Sequence, residues 1–351
     1  MSNIPAIVPT GAIRYNTDSN KMECFNGTQW MQVSVSSLDL GGNGGPAGNP
    51  TGNSADQVSG ARGLIMGGSS YTDTIEYITI STTGNGIDFG NLDTGTMITS
   101  GCSSNTRGLC MGGRKSPGVQ ENLIDYITIA ITGNAIDFGD LTKINEYASL
   151  GTIASATRGI VAGGENYAPN TDMGTEINYV TMATTGDAVK FGDLNVNVND
   201  APAGLASPTR GIVAGGGGPG GVNTIQYITI ASTGDAIIFG NLTTPRQGAF
   251  SASNSTVGLV AGGYKSADQT IIEKIIISTK GNATDFGDLS SARRWGGSMC
   301  SPVRAVFAGG YTATNLIDYV SITTGGTAID FGDLIGAKGG MYGGSNAHGG
   351  L

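Results

Sequence analysis

The residues that could do chemistry recur at regular places along this chain. Asp-Phe-Gly stands in four positions, at Asp88, Asp137, Asp285 and Asp330. Such a triplet holds Mg²⁺ only where a glycine-rich loop and catalytic-loop partners accompany it, and neither is present. Gly-Gly pairs end at Gly68, Gly113, Gly164, Gly216, Gly263 and Gly310. A phosphate cradle needs a following helix and a Lys-Ser/Thr, which these pairs lack. Arginines precede five of the pairs, at Arg62, Arg107, Arg158, Arg210 and Arg304, while Val257 precedes another. They are expected to hold nearby carbonyls or carboxylates at the corners of the repeat. Asp and Asn at the Thr-Gly turns lack the dense D-x-D-x-D loop of a Ca²⁺ site. A single histidine, His348, removes most catalytic triads and His-bearing metal sites. No S-x-D-x-G-x-T-W box occurs, and no acidic residue stands out from the repeat as a glycosidase carboxylate. The expectation is a non-enzyme with no cofactor and no metal.

The elements that carry these residues form a repeat. Gly-Gly pairs follow one another at intervals of 45, 51, 52, 47 and 47 residues. Each copy holds a short apolar run ending in Gly-Gly, an apolar strand such as IEYITI (75–80), a Thr-Gly turn, and a Phe-Gly strand. The phenylalanines are Phe89, Phe138, Phe191, Phe239, Phe286 and Phe331. In AIDFG (135–139), alternation puts Ile136 and Phe138 on one face and Asp137 on the other. A further run follows each FGDL, giving four short antiparallel strands per copy. That is the arithmetic of an all-β, six-bladed propeller. The tail 334–351 aligns with 289–306 as the start of another copy. It is expected to supply the missing innermost strand of the first blade and so close the ring. The expected blades are 61–92 plus 336–351, 93–141, 142–194, 195–242, 243–289 and 290–334.

Composition agrees. There are 60 glycines among 351 residues, 38% hydrophobic and 13% charged residues, and a net charge of −9. The acidity argues against a grip on nucleic acid, which needs clustered Lys and Arg. No apolar run is long enough for a membrane-spanning helix. Met1 to Thr10 lacks the basic and apolar regions of a secretory signal, so synthesis in a cytoplasm is expected. Cys24, Cys102, Cys110 and Cys300 show no CxxC spacing and are expected to be free and buried.

Two resemblances emerge from these motifs. The apolar strand ending in Gly-Gly, with a tyrosine and a later aromatic at propeller spacing, resembles the kelch repeat over residues 60–351, with Phe-Gly in place of the kelch tryptophan. Residues 11–33, GAIRYNTDSNKMECFNGTQWMQV, resemble a short module of tail-fibre and other structural proteins of tailed bacteriophages. Gly11, Arg14, Tyr15, Asn16, Glu23, Phe25, Asn26, Gly27 and Trp30 carry that likeness. It implies a virion protein whose residues 1–40 attach to other virion proteins, with Arg14, Tyr15, Asn16, Phe25 and Trp30 as the attachment set. A module this small needs a partner: the propeller, copies of itself in a homo-oligomer, or another virion protein. Residues 41–60 read as a glycine-rich linker and 61–351 as the propeller.

Chain alternation divides the loops between two faces of the disc. Turns before the Gly-Gly strands and the Thr-Gly turns share one face and are uniform. Loops after Gly-Gly and after FGDL share the other and vary. Tyr71, Tyr147, Tyr167, Tyr264, Trp295 and Tyr311 lie in the variable set and are the candidate contacts for a partner. The expected function is a tail-associated adhesin for a host-surface glycan or protein. The alternatives are a head, neck or tail decoration docking other virion proteins, and a glycan-degrading propeller.

Overall fold

A computed structural model describes residues 12–16, 21–25, 28–32, 62–165, 174–217 and 221–351. The chain divides into two units, Met1–Val58 and Ser59–Leu351. Among the described residues there are 28 strands and no helix, hence none long and apolar enough to cross a membrane. The 41–60 linker and the turn residues Asp18–Asn20, Asn26 and Gly27 fall outside the described residues, as does Gly11.

The first unit holds a three-stranded antiparallel meander, Ile13–Asn16, Lys21–Phe25 and Trp30–Gln32. Its register sets Phe25 opposite Trp30, and their rings meet at 5.4 Å. The Arg14 guanidinium lies 4.2 Å from the Trp30 ring centre. Tyr15 and Asn16 continue the first strand, opposite Met22 and Lys21.

The second unit is a six-bladed β-propeller. Blade four shows the pattern: Ala203–Ala206 innermost, then Arg210–Ala214, Thr224–Thr229 and Ile237–Asn241 outermost. The segment after each FGDL thus becomes the innermost strand of the following blade. Blade two has a longer hairpin, Arg107–Lys115 with Val119–Thr128. Blade one takes its inner strand from far along the chain. Tyr342–Ser345 pairs antiparallel with Arg62–Met66, with Tyr342 opposite Met66, as the tail alignment predicts. The inner strands neighbour one another in a closed circle.

The core is distributed over the seams. Each buried cluster draws on two adjacent blades; Leu109 and Phe138 of blade two, for example, pack with Val161 and Val180 of blade three. Inner strands use small residues because they crowd the axis. At Gly101 a Cβ would stand 2.8 Å from the Tyr342 ring, which is fully buried there. The Tyr342 hydroxyl reaches Thr152 of blade three at 2.8 Å. Residues Ala347–Gly350 are buried, and the His348 Nε2–H donates to the Ser103 carbonyl at 2.7 Å. His348 Nδ1 accepts from the Gly350 N–H at 3.1 Å, which fixes that tautomer.

Simple alternation fails at one point. Ile136 is 57% exposed and Phe138 only 2%, although two residues apart. The pairing of third and outer strands shifts here, with Ile124 opposite Gly139 and Asp125 opposite Asp137. Phe138 is the extra residue of a β-bulge, which turns its ring inward. Ile87, Ile136, Val189, Ile237 and Ile329 consequently form an exposed apolar series on the outer strands of five blades, with Thr284 at this place in blade five.

Candidate functional site

The variable-face loops converge on a ring of peptide groups. Ile98, Tyr147, Ala201, Gly248, Trp295 and Gly340 occupy one equivalent position, just before each inner strand. All six have left-handed backbone, with φ between 42° and 66°. Each N–H donates to the carbonyl of its counterpart in the preceding blade, at 2.6–3.4 Å, and the six bonds close on themselves. Glycine suits this conformation. A β-branched or bulky side chain there is strained, so Ile98, Tyr147 and Trp295 keep it against their own preference.

That conformation aims two aromatic side chains at each other from blades three and six. Tyr147 and Trp295 meet with ring centres 5.6 Å apart. Tyr311 packs edge-on against Trp295 at 5.1 Å. The Arg294 guanidinium lies 4.2 Å from the Tyr264 ring, 4.8 Å from Trp295 and 4.4 Å from Tyr311, and an ion pair of 2.8 Å to Asp268 anchors it. Tyr311 is 48% exposed and presents the patch to solvent. Four of the six candidate contacts, Tyr147, Tyr264, Trp295 and Tyr311, are therefore brought together. Tyr71 stands apart, its hydroxyl beside Gly118 of the blade-two hairpin. Tyr167 lies outside the described residues.

Polar atoms without partners surround this patch. Trp295 Nε1, Arg294 Nε, Gln247 Oε1 and Asp200 Oδ1 are buried and make no hydrogen bond among the described residues. Each such atom costs free energy unless water or a ligand reaches it. Burial pushes the Asp200 carboxyl up to about 7, helped by the Glu165 charge and opposed by Arg294. Burial likewise pushes the Tyr147 phenol up to about 12, with Glu146 adding to it. The arrangement offers flat apolar rings flanked by a fixed cation and unsatisfied donors and acceptors. Its exposed Tyr311 ring can stack on a ligand.

The recurring motif residues are occupied by the fold. Arg62, Arg107, Arg158, Arg210 and Arg304 each donate to a carbonyl of the next blade, at 2.7–2.9 Å. Each also lies over the tyrosine of its own blade, 4.7–5.0 Å from the ring. The turn residues Asn85, Asn134, Asp187, Asp235 and Asn282 accept a backbone N–H from the preceding blade's outer strand, at 3.0–3.1 Å. Cys102, Cys110 and Cys300 are free and buried. Among the described residues no three His, Cys, Asp or Glu side chains gather as metal ligands.

Sequence reasoning missed Arg294, Asp200, Gln247 and Asp268. The adjacent Arg293 and Arg294 look equivalent, yet Arg293 is buried against Asp318 while Arg294 belongs to the patch. Asp200, Gln247 and Arg294 each immediately precede a ring residue, which is the signal that could have found them, whereas Asp268 lies in the loop after the blade-five Gly-Gly pair. No protein-family model matches this chain, and no curated protein matches it.

Proposed function

We propose that this chain is a non-enzymatic binding protein of a phage virion, tail-associated, whose propeller displays the Tyr147–Trp295–Tyr311 patch to a host-surface glycan. The patch is the observation that carries the reading. Sugars present a C–H face that stacks on aromatic rings and hydroxyls that both donate and accept. Trp295 Nε1, Arg294 Nε, Gln247 Oε1 and Asp200 Oδ1 lie buried and unsatisfied beside the rings, and a ligand hydroxyl meets them once it displaces the side chains that cover them. The virion setting rests on the resemblance of residues 11–33, where Arg14, Phe25 and Trp30 form a compact cluster suited to docking on another virion protein.

Binding of the full chain to host cells and to an array of bacterial surface glycans tests the reading. Saturable binding is expected, with Trp295→Ala and Tyr311→Ala each weakening it at least tenfold, on the order of 1.4 kcal/mol. Undiminished binding by both variants at unchanged melting temperature removes the patch from the role. A second reading is favoured by the exposed series Ile87, Ile136, Val189, Ile237 and Ile329: a decoration protein that packs on other virion proteins through its rim. Failure to bind cells, together with incorporation into virions that Ile136→Asp and Ile237→Asp abolish, selects it.

A further inference from the structure

One position in the third strand of every blade carries a buried polar side chain. These are Glu76, Asp125, Asn178, Gln226, Glu273 and Asp318, none more than 5% exposed. Four residues after the Leu that follows each Phe-Gly stands the residue facing it. In blade one this is Lys338, whose ammonium lies 2.7 Å from Glu76. In blade five Arg246 pairs with Glu273, and in blade six Arg293 pairs with Asp318. Where the buried residue is an amide, no cation is needed. Asn178 accepts from the Thr142 hydroxyl at 2.6 Å, and Gln226 bonds the N–H and the carbonyl of Val196.

Blade two breaks the rule. Asp125 is a carboxylate, but the facing residue is Thr96, which brings no charge. Asp125 Oδ1 has no hydrogen-bond partner among the described residues. A cleft of about 30 Å³ opens beside it, lined by Asp125, Thr94, Thr96, Lys115 and Glu121 among others. That volume holds one water-sized occupant. Lys115 is already engaged, with its ammonium 2.5 Å from Glu121.

We propose that this blade-two cleft binds a small monovalent cation, of the charge and size of ammonium or potassium, in the place that Lys338, Arg246 and Arg293 fill in blades one, five and six. The carboxylate supplies the charge, and Thr94 and Thr96 supply neutral oxygens. A calcium ion takes six to eight oxygens with several carboxylates, and this cleft offers one free carboxylate. Burial, with the charges of Asp93 and Asp137, pushes the Asp125 carboxyl up to about 6 against the pull of the Asp93 N–H. An empty cleft therefore costs stability at neutral pH, and a bound cation restores it.

The test is thermal unfolding of the full chain at pH 7.5 and constant ionic strength in ammonium, potassium or choline chloride, choline being too large for the cleft. The melting temperature of the native chain is expected to rise by roughly 2 °C on exchanging choline for ammonium or potassium. Asp125→Asn is expected to lose that response. Thr96→Lys is expected to lose it too, while melting higher than the native chain in choline, because its ammonium repeats the Lys338 arrangement. Should Thr96→Lys not fold, crystals grown in rubidium chloride decide, with an anomalous peak beside Asp125 expected. An equal response in Asp125→Asn, or no response together with no rubidium peak, overturns the proposal. So does a native chain that is insensitive while Lys115→Ala becomes sensitive, since Lys115 then fills the cleft itself.

Discussion

Asp200 sits where the patch meets the peptide ring, with its carboxyl raised to about 7 chiefly by burial. An unfolded carboxylate titrates near 4. Between those values the folded chain holds a proton that the unfolded chain has released, so stability falls as pH rises through about 4 to 7. Asp200→Asn removes this dependence. Relative to the native chain it should gain on the order of 2 kcal/mol at pH 8 and nothing at pH 4 in urea unfolding. Parallel stability curves for the two proteins would show that Asp200 is not titrating in that window. At this scale the sequence was only partly informative. It marked Tyr147, Tyr264, Trp295 and Tyr311 because they lie in loops that differ among copies. Their convergence depends on left-handed backbone at Tyr147 and Trp295, which no side-chain pattern announces. Tyr71 shares the loop class but not the place.

Among the elements, the seam between blades five and six lacks the arginine and turn-residue bonds that the other five seams share. Val257 stands where other blades have the arginine, and Lys274 where they have the tyrosine beneath it. Thr327 stands where the other turns carry Asn or Asp. Elsewhere the tyrosine also meets its bulge phenylalanine edge-on, as Tyr179 meets Phe191 at 5.9 Å. A charged donor to a carbonyl contributes roughly 1.5–3 kcal/mol net, and a cation over a ring adds about 0.5–1. Arg158→Met should therefore lower stability by about 2 kcal/mol. The pair Val257→Arg with Lys274→Tyr should raise it by about 1 kcal/mol through contact with the Ile322 carbonyl. Calorimetric melting of both variants checks this, and no change in either would deny the arginines a stabilising part. The repeat spacing made all six copies and the missing arginine at Val257 legible. The bulge at each phenylalanine was not legible, because it depends on how the outer strand bends across its neighbour.

For the whole molecule, closure depends on Tyr342–Ser345 beside Arg62–Met66 and on the buried segment that follows. His348 lies inside that segment, and burial holds its imidazole down at about 4. An unfolded histidine titrates near 6.5. The unfolded chain therefore takes up a proton first, and stability present above pH 6.5 is lost as pH falls towards 4. The loss is up to about 3 kcal/mol, opposite in sign to that of Asp200. Protection factors for hydrogen exchange at 342–350, with the intrinsic pH dependence of amide exchange divided out, should fall across this window in the native chain and not in His348→Gln. An equal fall in both would place the acid sensitivity elsewhere. The strand that closes the ring was readable because residues 334–351 repeat 289–306. The part played by His348 was not, since the aligned residue in 289–306 is Val303 and no other copy carries a histidine.

The closing pair has a further effect on the order of events during synthesis. Most seams join stretches a blade apart, so each can form soon after its second half leaves the ribosome. The final seam needs residue 345 to meet residue 63. Until then the Arg62–Met66 strand keeps a bare, apolar edge, open to any strand that comes by, including one from a neighbouring nascent chain. Loop-closure entropy grows only slowly with separation, so the long wait adds little to the equilibrium cost. It adds to the time at risk, and a slower ribosome lengthens the exposure of that edge without altering the finished ring.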